Sequence, residues 1–252
     1  MSEESSNHLW FPDWCAEVAR QGFPTVQQLR RGIILGCIAR SFWLAKEDPV
    51  FELFWEGDTY LDDEMGGERW AVAFSDVGAV AVFYSSESSR NPYPEGRPAY
   101  DQTWYFKEMP EHLEPVKKRA LAYMFDLEFQ LGGSQAVVTS AMWADEERFT
   151  AVESWKNVFY HSLWACHLQL LPMEIALAEW WEGMELPESG VAAAQSLYER
   201  RVNSTDPVIV VEPWEWEQYL QASGDSPEDH KISAARELLS GVGIVLPEGL
   251  SH

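Results

Sequence analysis

Positive charge is scarce in this chain. Only 18 Lys and Arg stand against 41 Asp and Glu in 252 residues, a formal charge of −23. Nucleic acids are bound through a cationic footprint that neutralises phosphates, and none is present. Anionic membranes attract clusters of Lys and Arg, and those are missing too. Neither nucleic acid nor membrane is therefore an expected partner. Cysteine is equally sparse. Cys15, Cys37 and Cys166 are odd in number and unrelated in spacing. That excludes a disulfide framework and reads as buried thiols in a reducing compartment. The opening Met1–His8 is acidic and polar, with no basic region leading into an apolar one. No apolar run has the length of a bilayer span. The expectation is a soluble, cytoplasmic protein.

The short motifs of common chemistries are also missing. There is no C-x-x-C and no H-E-x-x-H, and His161 and His167 stand six apart, on different faces of any helix that holds them. No G-x-S-x-G, S-x-x-K, G-x-G-x-x-G or P-loop pattern occurs. Gly241-Val242-Gly243 closes a helical pattern instead of opening one, so it reads as a stop signal and not an anion site. No metal, no cofactor and no catalytic residue is expected. The one acidic run of chemical interest is Asp62-Asp63-Glu64, which could hold a hard cation or act in glycoside hydrolysis. A chain this rich in acids forms such runs by chance, and a solvated loop is the plainer reading.

What the chain does have is aromatic bulk, with 13 Trp and 12 Phe. That many large rings imply a broad aromatic core, an aromatic-lined groove, or both. The organising stretch is Gly66–Ser86. Two runs of small, aromatic and β-branched residues, 68–74 and 79–84, flank the turn Ser75-Asp76-Val77-Gly78, which predicts a hairpin. Thr25-x-x-Gln28 is a capping box opening a helix to about Lys46 that is apolar nearly all round, as a central helix is. Asp48-Pro49 reads as a short helix start, Tyr100–Phe106 as a third strand and Pro110–Leu131 as an amphipathic helix. Gln135–Trp143 reads as a strand, and Thr150-x-x-Glu153 as a second capping box leading into a helix that Pro172 interrupts. Helices follow at 173–183, 189–202, from Pro213 and from Ser226, with short strands at 207–211 and 243–246. The predicted class is α+β: mostly helical, with a small antiparallel sheet built on a central β-hairpin at about 68–84 and packed against long helices. Residues 1–8 read as a disordered tail, and 9–252 as one globular domain.

Candidate functional residues fall into three groups. The loop after the hairpin holds Arg90, Tyr93 and Arg97, two cations and an aromatic in an acidic protein. Loops on rigid scaffolds often carry binding residues, although each Arg would equally serve to fix the loop by pairing with local acids. Asp62, Asp63 and Glu64 form the second group. The third is Trp set among carboxylates: Trp55 with Glu52, Glu56 and Asp58; Trp180 and Trp181 with Glu179, Glu182 and Glu185; Trp214 and Trp216 with Glu212, Glu215 and Glu217. An aromatic face ringed by acids suits a basic partner, while a Trp-rich core with a polar rim is the plainer reading. The functional expectation is a non-catalytic acidic protein that binds a basic protein, in character like the immunity or inhibitor proteins that neutralise basic toxins. Two alternatives stand beside it: a hydrolase using paired carboxylates, and a small-molecule-binding module with an aromatic-lined cleft.

Overall fold

The computed structural model describes residue 18 and residues 20–47, 52–63, 67–93, 101–128, 134–223 and 229–246. Its centre is the expected hairpin. Strand β3 (Glu68–Ser75) pairs antiparallel with β4 (Gly78–Ser85) across the two-residue turn Asp76-Val77. The Ser75 hydroxyl accepts from Val77 N and donates to Gly78 O. Gly78 sits at φ 142°, and a Cβ there would lie 2.1 Å from the Ala144 carbonyl oxygen, so the position needs glycine.

The hairpin is extended on both sides. On one flank, β1 (Glu52–Glu56) and β2 (Thr59–Asp63) form a second hairpin through Gly57 and Asp58. Beyond the Asp48-Pro49 helix start, whose first residues lie outside those described, the chain from Glu52 is thus strand and not helix. On the other flank β4 pairs with β7 (Ser140–Ala144), giving the antiparallel order β1-β2-β3-β4-β7. A small hairpin of β5 (Asp126–Glu128) and β6 (Ser134–Ala136) and a parallel pair of β8 (Ile209–Val210) and β9 (Ile244–Val245) stand apart from this sheet.

Both faces of the sheet are covered, which is why its strands read as near-continuous apolar runs. Tyr60, Trp70, Val72, Phe74, Phe83 and Met142 face one layer. At the centre of that layer lies α1 (Val26–Leu44), buried on most sides as its all-round apolarity predicts. Thr25 caps it by accepting from Gln28 N at 3.0 Å. The reciprocal half of the box is missing, because the Gln28 side chain reaches Leu170 O instead. Around α1 pack α4 (Met173–Gly183), α5 (Ser189–Asn203), α6 (Pro213–Ser223) and α7 (Asp229–Gly241). Leu61, Ala71, Val80, Val82 and Trp143 face the opposite way, onto α2 (Glu114–Leu121) and the 3-10 turns at Gln102–Phe106 and Glu111–Leu113. Helix α3 (Trp155–Ser162) closes the β4–β7 end.

Four further expected elements differ. Tyr100–Phe106 is not a strand: Asp101 accepts from Thr103 N and starts a 3-10 turn. The Pro110–Leu131 helix stops at Leu121, because Asp126–Glu128 pairs with Ser134–Ala136, and Phe125 O accepts from Val137 N. The 135–143 strand is broken at 137–139 into β6 and β7. Thr150 opens no helix; it bridges to Trp143, and Ser154 takes the place at the head of α3. The Ser226 helix start lies outside the described residues, as do residues 1–17. Cys37 and Cys166 are buried free thiols, and burial holds both well above the ordinary thiol range.

Candidate functional site

Beyond Ser85 the chain folds back on itself. Ser86 N donates to Gly67 O, Asn91 donates to Ser86 O, and Asn91 Oδ1 accepts from Tyr93 N. This knot delivers Arg90 inward. Its guanidinium meets Glu153 in a two-pronged pair at 2.7 and 2.6 Å and donates to Thr139 O at 3.1 Å. It also lies over the rings of Trp104 and Tyr105. Arg90 is thus a strut between the loop, the β6–β7 junction and the head of α3. Burial pushes the Tyr105 phenol up to about 12.

The same cluster holds a Ser–His contact. Ser88 Oγ lies 3.1 Å from His161 Nδ1. A nucleophilic serine needs a histidine made basic by a carboxylate. Here burial and the neighbouring Arg90 cation lower His161 to about 4. The nearby acid, Glu153, is held by Arg90. The cation beside the imidazole weakens it as a base, and the contact ties the loop to α3. Nothing in the sequence flagged Ser88 or Glu153 as partners of this loop; Glu153 reads locally as a capping residue.

Around the knot stand exposed rings. Tyr93 and Phe125 both meet Tyr84 edge-on, Trp104 covers Arg90, and Tyr160 stacks edge-on against His161. Tyr93, singled out in the sequence, is therefore one of four exposed aromatics sharing this end of the sheet. Arg97 lies outside the described residues.

The acidic run is not the solvated loop expected. Asp62 and Asp63 lie on β2, at 0% and 4% exposure. Neighbours on a strand point to opposite faces, so the two carboxylates cannot share a ligand. Asp62 accepts from Arg40 at 2.6 Å and from the Tyr60 hydroxyl at 3.2 Å, and Asp63 accepts from Arg69 at 2.7 Å. Glu64 lies outside the described residues. A fourth acid, Glu215, is fully buried and accepts from Arg200, Ser196 and Glu212 N. Among the described residues no group of His, Cys, Asp and Glu is arranged to hold a metal ion.

The Trp positions divide. Trp55 is half-buried, stacked on Phe74, with its Nε1 donating to Gly57 O. Residues 214 and 216 lie on a helix, so they do not share a face: Trp216 is 8% exposed and stacked on Tyr219, whereas Trp214 is 42% exposed and donates to Glu212. Trp180 and Trp181 are both buried.

No family model, no curated protein and no solved structure matches the chain.

A cleft of about 300 Å³ opens between the start of α1 and the 168–173 segment. Its polar lining is largely amide, from Gln21, Gln27, Gln28 and Gln169, with Arg31 as its cation and Tyr198 as its one ring. It is neither aromatic-lined nor a meeting place of two acids. Among the described residues, no helix is long and apolar enough to cross a membrane.

Proposed function

We propose that this protein binds a cationic protein and acts by occupying it, as an inhibitor does, without chemistry of its own. The observation that carries this reading is the fate of the buried carboxylates. Asp62, Asp63, Glu153 and Glu215 each hold an arginine: Arg40, Arg69, Arg90 and Arg200. These pairs match four of the 18 cations to four of the 41 acids, so the surplus of acids over cations is untouched by them. A hydrolase working with two acids needs the reverse, carboxylates facing each other with their affinities for protons pushed apart. The field of a −23 protein speeds encounter with a cationic face, and exposed rings such as Tyr93, Trp104 and Trp214 supply anchors.

The test is isolation of the partner by cross-linking at low ionic strength, then titration of the purified pair by calorimetry. A basic partner whose dissociation constant rises at least tenfold between about 0.05 and 0.5 M salt is the expected result. A neutral or acidic partner, or binding indifferent to salt, overturns the reading.

A further inference from the structure

A second cleft, of about 460 Å³, runs between α4 and α5. One row of α4 supplies its floor: Met173, Leu177 and Trp181, four residues apart. Residues at that spacing line up along a helix, so the row extends about 12 Å. Leu186 closes one end, and Val191 forms the facing wall on α5. Leu177, Trp181 and Leu186 are buried at the groove bottom, with only a small part of each exposed, while Met173 and Val191 are half-buried. The indole N–H of Trp181 is satisfied by Pro187 O, so the ring offers the groove an apolar surface.

The rim has a different chemistry. Glu174 and Glu182 flank the exposed Ala178 on the adjacent row of α4, and Glu188 stands where α5 begins. None of these three carboxylates has an ion-pair partner among the described residues. No Lys or Arg lines the groove. The contrast with the interior is plain, where Asp62, Asp63, Glu153 and Glu215 each meet an arginine.

We propose that this groove is the docking site for one amphipathic helix of a cationic partner. Its apolar row would lie on Leu177 and Trp181, and its Lys or Arg side chains would reach Glu174, Glu182 and Glu188. An apolar groove between helices suits the i, i+3, i+4 anchors of a third helix. The unpaired acids set the sign of the residues beside those anchors. A second copy of the chain is disfavoured because it carries the same −23 charge. The chain's own N-terminal stretch is disfavoured by Glu3, Glu4, Asp13 and Glu17. The inference rests on the proposed preference for a basic partner and adds where and how that partner is held.

The test uses the full chain and a leucine–lysine peptide of about 14 residues, patterned as an amphipathic helix. Controls are the same residues scrambled and a leucine–glutamate counterpart. Calorimetry at low salt compares the native protein, Glu174→Gln/Glu182→Gln/Glu188→Gln, Ala178→Arg, and a charge-matched triple elsewhere, Glu87→Gln/Glu108→Gln/Glu111→Gln. All substituted positions are exposed, and circular dichroism checks that each variant folds. The expected result is binding of the patterned lysine peptide alone, weakened about tenfold by either groove variant and less than about twofold by the distant triple. Equal weakening by both triples, or no effect of Ala178→Arg, overturns the groove while leaving a basic partner in place. Failure of every cationic peptide to bind overturns both. A dimer in sedimentation that Ala178→Arg dissociates would assign the groove to a second copy and also overturns it.

Discussion

The Arg40–Asp62 pair is where sequence and structure part most sharply at the scale of single residues. Asp62 sits in an acidic run and reads as solvated, yet it is fully buried with a guanidinium donor 22 positions upstream. Local composition reports neither the partner nor the strand that turns the side chain inward. Losing one member of a buried pair leaves the other charge without solvent or counter-ion, at a cost of about 3–5 kcal/mol. Asp62→Ala is therefore expected to destabilise the fold by that amount in urea denaturation. Arg40→Met combined with Asp62→Leu, which removes both charges and keeps apolar volume, is expected to fall within about 1–2 kcal/mol of the native protein. Arg90 repeats the lesson in milder form: its loop was legible from Ser, Asn and Pro content, but Glu153, 63 residues away, was not.

Among the elements, α1 was the most legible and also carries the least obvious constraint. Its cap, length and all-round burial follow from the Thr25 signature and the apolar pattern. Gly32 in its interior looks like a weakness, since alanine is about 1 kcal/mol better in a helix. The structure reverses that expectation. A Cβ at Gly32 would lie 1.8 Å from the Gln169 carbonyl oxygen, a backbone atom that cannot swing aside. Gly32→Ala is thus expected to destabilise the protein by about 2 kcal/mol net, overpacking outweighing propensity, with a lowered midpoint in denaturant as the readout. The amphipathic reading of 110–131 failed for a related reason. Leu113, Val116, Ala120 and Met124 keep helical spacing and are all buried, but after Leu121 the chain turns and pairs as strand. Spacing reports which residues go inside, not which backbone brings them there.

For the whole molecule the main electrostatic force outside the core is self-repulsion. A surface carrying most of a −23 charge opposes compaction, and salt screens exposed charges more than buried pairs. Raising ionic strength from about 0.01 to 0.2 M is expected to raise the melting temperature by a few degrees. A fall would mean that surface ion pairs outweigh the repulsion. The α+β class, the central hairpin, the apolar helix beside it and the net negative charge were all determined by the sequence itself, because each depends on local periodicity, turn chemistry or simple charge count. Only the tertiary structure decided that Asp62 and Asp63 face opposite ways into arginines, that Arg90 is a strut, and that Leu177 and Trp181 floor a groove with glutamates at its rim that pair with no cation among the described residues. Those outcomes depend on which distant segments the sheet and helices bring together. A one-dimensional pattern records which side chains avoid water, but not which of them meet.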